Sequence, residues 1–153
     1  QDFITVITTP LTSHNGTSNF KYKDDTEGGA LSAFGVNFGY DGKSINSNLS
    51  VKVMGSSLDS LFENKIIENS PDLVKIDVDG IEHLILSGAI NTLKSKSCKS
   101  VLVEVNEDFL EQSLEVKRIL EDCGFVLTDK LHGNMSDNSE KFSKTYNQIW
   151  VRS

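Results

Sequence analysis

The chain has 153 residues, of which 37% are hydrophobic and 24% charged, and its net charge is -7. This length and composition match one globular domain with a core of its own. The charge would repel a phosphate backbone, and no apolar run is long enough for a membrane helix, so we expect neither nucleic acid nor membrane as a partner. Two isolated cysteines, Cys98 and Cys123, and the lack of a leader pattern at the start of the sequence predict a cytoplasmic location.

The first third of the chain predicts short strands and an irregular loop. Residues 3–8 are a β-branched run that predicts a strand, and the turn dipeptide Asn15-Gly16 precedes a second strand at 18–23. Residues 24–48 are rich in Gly, Ser, Asn and Asp and predict a long loop, closed by a strand at 51–53. Three aromatic side chains of this loop can either line a site or cover the core: Phe34, Phe38 and Tyr40.

A more regular pattern begins at Ser57, which is a predicted N-cap for a short helix that ends before Pro71. Residues 72–78 are almost continuously apolar, which predicts a strand covered on both faces in a parallel sheet. Residues 81–93 then follow the period of an amphipathic helix. The order is therefore helix, strand, helix.

The strand-helix pattern repeats once in the last third of the chain. A buried strand is predicted at 100–105, followed by a helix at about 107–122 that ends at Gly124. Two last strands, at 125–131 and 146–151, are joined by a polar loop without a helix. A crossover helix is therefore absent, and we expect this pair to be antiparallel at the edge of an otherwise parallel sheet.

Acidic side chains follow the strand predicted at 72–78. Asp77, Asp79 and Glu82 fall where ligands bind in open α/β sheets, at the carboxyl end of a strand. The structural alternative is that they cap the turn and the helix, since Glu82 occupies a first-turn position favoured by the helix dipole. A further alternative joins Asp77 to Glu104 and Asn106 as oxygen ligands of a divalent cation.

The run 75–80, Lys-Ile-Asp-Val-Asp-Gly, together with Glu82 and the run 86–89, resembles the central signature of FkbM-type methyltransferases. Three further segments are similar to the family's pattern: 58–61, 101–105 and 146–150. The resemblance extends over about residues 3–152. It implies an α/β, Rossmann-like class I methyltransferase sheet that is mostly parallel and has an antiparallel C-terminal strand pair.

The resemblance also implies an activity, which is methyl transfer from S-adenosylmethionine to an oxygen or nitrogen of a small-molecule or carbohydrate acceptor. It places catalytic residues at Asp77, Asp79 and Glu82, and cofactor contacts at Asp77, Val78 and Pro10, with no metal. Asp77 would lie near the methyl group and the acceptor, where a carboxylate can take up the acceptor's proton.

The chain departs from the family's pattern in one respect. The family has a strand with a glycine-rich turn, and a second strand that ends in an acid, before the third strand of the fold. Residues 3–9 resemble that third strand, and neither of the two earlier strands is present. We therefore expect a partial methyltransferase domain over 1–153 that lacks the first two strands, with a strand and irregular hairpins in 1–56 and an α/β half in 57–153. The alternatives are a non-catalytic remnant, an interaction module, or a half-domain that another chain, such as a second copy, completes.

Overall fold

The computed structural model describes residues 4–22, 32–45, 47, 49–132 and 142–153. The described residues form an α/β fold with two sheets. The three-stranded sheet has the order β2-β1-β3 and the four-stranded sheet has the order β4-β5-β7-β6. The elements, in chain order, are β1 (Gly16–Tyr22), β2 (Ala33–Phe34), β3 (Leu49–Gly55), α1 (Leu58–Glu63), β4 (Leu73–Ile76), α2 (Glu82–Ser87), α3 (Ile90–Lys94), β5 (Ser100–Asn106), α4 (Leu110–Asp122), β6 (Phe125–Leu131) and β7 (Thr145–Arg152).

The four-stranded sheet is mixed. Strands β4 and β5 are parallel, whereas β7 is antiparallel to both of its neighbours, β5 and β6. The predicted antiparallel C-terminal pair is therefore confirmed. The sheet is not mostly parallel within the described part of the chain, because β7 lies between β5 and β6 and so contributes two antiparallel pairings against one parallel pairing.

Strand β4 is less covered than its apolar sequence predicts. Leu73 is 59% exposed and Lys75 is also exposed, whereas Ile76 is buried. Among the described strands β4 pairs only with β5, so it forms one edge of the sheet. The prediction of a strand covered on both faces therefore holds for the face of Ile76 and is wrong for the face of Leu73.

The strand predicted at 3–8 does not form. Phe3 lies outside the described residues, and 4–9 contain no strand, with Ile4 80% and Val6 78% exposed. β-branched residues favour a strand only when a neighbouring strand offers pairing and burial. The next residue, Pro10, accepts a hydrogen bond of 3.0 Å from the Ser56 N–H, and Leu11 forms a single parallel bridge with Ser56. The correspondence of residues 3–9 to a third strand is therefore wrong for the described positions.

One hydrophobic core joins the two sheets. Phe34 of β2 belongs to the same buried cluster as Val103 of β5 and Trp150 of β7. Helices α2 and α4 pack against each other and against β5. Cys98 and Cys123 are both free and buried in this core, where they act as small hydrophobic residues.

The helix predicted at 81–93 is divided into α2 and α3. Asp59 accepts hydrogen bonds from the backbone N–H groups of Asn91 and Thr92, both at 2.8 Å, and so satisfies the start of α3. Gly88 lies between the two helices against the backbone of Thr12, where an added Cβ would be 2.3 Å from the carbonyl oxygen. Contacts distant in sequence therefore interrupt a helix that its own periodicity would continue.

Replacing Gly88 by Ala tests this close contact. The new methyl group can be accommodated only if backbone moves, so we expect the free energy of unfolding to fall by roughly 1–3 kcal/mol. Urea denaturation followed by circular dichroism measures the change. Gly39→Ala is the matched control, because a Cβ there would lie at an ordinary 3.4 Å from the Ile45 side chain. Equal losses in the two variants would contradict the packing of Gly88.

Candidate functional site

Strand β4 ends in a tight turn that leads into α2. Gly80 has φ of +108°, a conformation that side chains disfavour. It also packs on the loop at Gly39, where an added Cβ would lie 2.5 Å from the carbonyl oxygen. Glycine is thus required at this position for two independent reasons. The turn holds Asp77 and Asp79 at the carboxyl end of β4.

A cleft of about 560 Å³ lies at this end of β4. Four of the predicted positions line it together: Pro10, Asp77, Val78 and Asp79. Phe20 and Phe34 of the three-stranded sheet also line this cleft. The cleft is therefore bounded by the end of one sheet and by an aromatic part of the other.

Each of the two carboxylates in the cleft has a defined partner. Asp77 Oδ2 lies 2.6 Å from the Lys75 ammonium, and both side chains are about half exposed. Asp79 Oδ2 accepts a hydrogen bond of 3.1 Å from the backbone N–H of Ser32. The period of two along a strand indicates that Lys75 and Asp77 share a face, but no local pattern links Ser32 to Asp79.

Glu82 lies behind the turn and does not line the cleft. It is 1% exposed, its Oε1 accepts the Gly80 N–H at 3.3 Å, and its Oε2 accepts a hydrogen bond from Gln112 Nε2. Burial, with a smaller contribution from the charge of the nearby Glu104, outweighs the hydrogen bonds that lower the pKa of Glu82 and raises it to about 8. Glu82 therefore supports the turn from inside the core.

The hydrogen-bond network of Glu82 continues to the end of β5. Gln112 Oε1 accepts the backbone N–H of Asn106 at 3.0 Å. The side-chain amide of Asn106 donates to the Tyr40 carbonyl at 3.1 Å, and its Oδ1 accepts the Asp108 N–H at 3.0 Å. The ends of β4 and β5, the start of α4 and the loop at Tyr40 are thus connected by buried and partly buried hydrogen bonds.

These contacts bear on the divalent-cation alternative. The Asn106 side chain is committed to backbone groups, and the part of the chain that the structure describes contains no cluster of three or more His, Cys, Asp or Glu side chains able to hold a metal. Glu104 nevertheless belongs to the acidic end of the sheet, because burial, and then Asp77 and Asp79, raise its pKa. The Asn106 side chain is therefore already engaged by backbone groups, and a cation shared with Asp77 and Glu104 stays a prediction.

The three aromatic residues of the 24–48 loop have different roles. Phe34 is 3% exposed and both belongs to the core and lines the cleft. Phe38 packs against the rings of His83 and Phe109, with centroid distances of 6.4 and 5.4 Å. The Tyr40 ring packs on Phe142 at 5.1 Å. The sequence left open whether these side chains cover the core or line a site, and Phe34 does both.

A family model described as the methyltransferase FkbM domain matches residues 2–127. The chain belongs to the FkbM methyltransferase family. Comparisons with curated proteins and with solved structures found no match. The match includes the turn after β4 and ends within β6, so the last strand pair lies mostly beyond it. In the described ranges, none of the helices has the length and apolarity needed to cross a bilayer.

The stability of this FkbM protein should depend on the protonation of Glu82. Its pKa is about 8 in the folded chain and ordinarily 4.5, so between these values the unfolded state binds fewer protons and the free energy of unfolding falls as pH rises. The slope from this group reaches about 1.4 kcal/mol per pH unit. Glu82→Gln removes this titrating group. We therefore expect the free energy of unfolding of the variant, minus that of the wild type, to increase as the pH rises from about 5.5 to 8.

Chemical denaturation at several pH values measures how this difference in stability changes with pH. A difference that is the same at every pH does not affect the test. Glu115→Gln is the control. The hydrogen bond from Arg118 lowers the pKa of Glu115, so its titration lies below this range and its curve should run parallel to the wild type. Parallel curves for Glu82→Gln would contradict the raised pKa.

Proposed function

We propose that the protein is an S-adenosylmethionine-dependent methyltransferase that transfers a methyl group to an oxygen or nitrogen of a small-molecule or carbohydrate acceptor. One observation carries this proposal. In a chain of the FkbM family, Asp77 and Asp79 line a single cleft with Pro10 and Val78 at the carboxyl end of β4. Ligands of open α/β sheets bind at such strand ends.

The proposal includes the class I, Rossmann-like form of the sheet. The parallel pair of β4 and β5, followed by the antiparallel pairings of β7, supports it. Helix α2 follows β4 directly, and α4 connects β5 to β6. This is the arrangement that the family resemblance implies for the C-terminal part of the fold.

The residues of the cleft fit the proposed cofactor. When bound, S-adenosylmethionine supplies an activated methyl group on a positively charged sulfur. The carboxylates of Asp77 and Asp79 complement a positive charge, and the side chains of Pro10 and Val78 offer apolar contact to the rest of the molecule. We assign Pro10, Asp77 and Val78 as the cofactor contacts.

Asp77 is the proposed proton acceptor for the attacking hydroxyl or amine. Lys75 binds one of its two oxygens, Oδ2, which orients the carboxylate and leaves Oδ1 for the acceptor's proton. Asp79, held by the Ser32 backbone, contributes charge and orients the acceptor. Glu82 acts through the Gly80 turn, as a positioning residue without contact to the substrate. Alignment of the acceptor and removal of its proton are the two contributions required of the protein.

Replacing Asp77 by Asn tests the proton acceptor. The amide keeps the shape of the side chain and cannot take up a proton, so we expect methyl transfer to fall by roughly 10²- to 10⁴-fold. Transfer from tritium-labelled S-adenosylmethionine to a panel of hydroxyl- and amine-bearing compounds identifies an acceptor and then measures the rate. Saturation-transfer NMR with S-adenosylhomocysteine measures cofactor binding separately.

Asp129→Asn is the control for this experiment. It removes an exposed carboxylate on β6, away from the cleft, and should leave the rate unchanged. An Asp77→Asn rate within about threefold of the wild type would exclude Asp77 as the proton acceptor, since a placed base contributes far more than that.

A half-domain completed by a second copy is the alternative proposal, and one observation favours it. β4 has a described partner on one side only, and Leu73 at this edge is 59% exposed. Such an edge can accept a further strand. Light scattering coupled to size-exclusion chromatography separates the two proposals. A stable dimer, with S-adenosylhomocysteine binding lost on dilution to monomer, would favour completion by a partner.

A further inference from the structure

The sheet of β1 and β3 has one polar and one apolar face. Paired residues of an antiparallel sheet share a face, and alternate residues change face. The polar face is formed, apart from Met54, by Thr17, Asn19, Lys21, Ser50 and Lys52. The apolar face is formed, apart from Ser18, by Phe20, Tyr22, Leu49, Val51 and Val53. Such alternation is expected where one face of a sheet packs on apolar groups and the other faces water.

Only half of the apolar face is covered. Phe20 and Val53 pack against the core. At the other end of the same face, Tyr22 is 36%, Leu49 45% and Val51 52% exposed. These last three side chains, here called the outer apolar face, therefore present an apolar surface to solvent.

The outer apolar face is continuous with the cleft. The Phe20 ring, which lines the cleft, lies 4.9 Å from the Tyr22 ring and 6.4 Å from the Phe34 ring, measured between centroids. Three aromatic rings thus run from the cleft to the exposed end of β1. Val51 is paired with Phe20 and Leu49 with Tyr22, so both aliphatic side chains lie beside this row.

The size of the outer apolar face indicates what kind of partner it fits. Three partly exposed side chains of this kind offer roughly 200–300 Å². A stable protein partner requires about 800 Å² from each side, whereas a small ligand needs no more than a patch beside a pocket. The patch is therefore too small to hold a second copy by itself and suits a small molecule that already occupies the cleft.

We infer that the methyl acceptor has an apolar body, alkyl or aromatic, that lies along Phe20, Tyr22 and Val51 and places a hydroxyl or amine beside Asp77. This inference rests on the proposed function, since it assigns the acceptor class of the same cleft. The carboxylates bind the polar end of the acceptor and the outer apolar face binds its body. A bare sugar would use the first contact and not the second.

A pair of glucosides tests the inference. Methyl β-glucoside and n-octyl β-glucoside present the same sugar hydroxyls and differ in the apolar tail, and the latter is used below its critical micelle concentration. Titrations followed by NMR of the protein should show saturable binding of the octyl compound at least tenfold tighter than that of the methyl compound. Equal affinities for the two glucosides, or no binding of the octyl compound, would overturn the inference.

Variants locate the binding surface. Val51→Asp places a charge on the outer apolar face and should lower the affinity for octyl glucoside at least tenfold. Met54→Asp introduces the same charge on the opposite face, at a side chain that is 72% exposed, and should leave the affinity unchanged. Circular dichroism checks that both variants fold. If Val51→Asp does not fold, Tyr22→Ser takes its place. An unchanged affinity for octyl glucoside in whichever of these two variants folds would place the tail elsewhere and overturn the inference.

Binding of S-adenosylhomocysteine, measured on the same samples, separates this inference from the proposed function. Cofactor binding without preference for the octyl compound overturns the acceptor class alone. Preference for the octyl compound that Val51→Asp removes, without cofactor binding, overturns the methyltransferase proposal and retains the outer apolar face as a ligand surface.

Discussion

The buried carboxyl group of Glu82 holds the site together. Its two oxygens join the Gly80 turn to Gln112, and Gln112 in turn binds the backbone at Asn106. A polar group with 1% exposure is tolerated because each oxygen has a partner. The turn that carries Asp77 is therefore anchored to the end of the next strand, and the carboxylates in the cleft have a rigid support.

The cleft depends equally on the packing of the two sheets. The turn after β4 supplies Asp77 and Asp79, whereas the three-stranded sheet supplies Phe20 and Phe34. Phe34 is part of the common core, so the aromatic side of the cleft cannot move without disturbing that core. The N–H of Ser32 on Asp79 adds a direct link between the two sides. Charge and apolar surface thus meet in one pocket, which is the combination that the proposed cationic cofactor and the inferred acceptor with an apolar body both require.

Local patterns predicted much of the fold. Ser57 caps α1 as expected, accepting the Ser60 N–H at 3.2 Å, and β6 occupies the predicted residues. The breaks in these predictions have physical causes outside the local sequence. The helix after Gly80 divides because Asp59 caps α3 from a distant helix. Residues 4–9, the described part of the run before Pro10, form no strand, since strand propensity is realised only with a partner.

The sequence by itself determined the family, the turn after β4 and the cluster of acids at the end of β4. Glycine, carboxylates and an apolar strand leave a pattern that is local in the sequence. Only the tertiary structure separated the roles of those acids. Asp77 and Asp79 line the cleft, whereas Glu82 is buried against Gln112, a residue thirty positions later. The outer apolar face likewise follows from pairing between β1 and β3. Burial and strand pairing depend on contacts between residues that are distant in the chain, and a local sequence pattern does not predict those contacts.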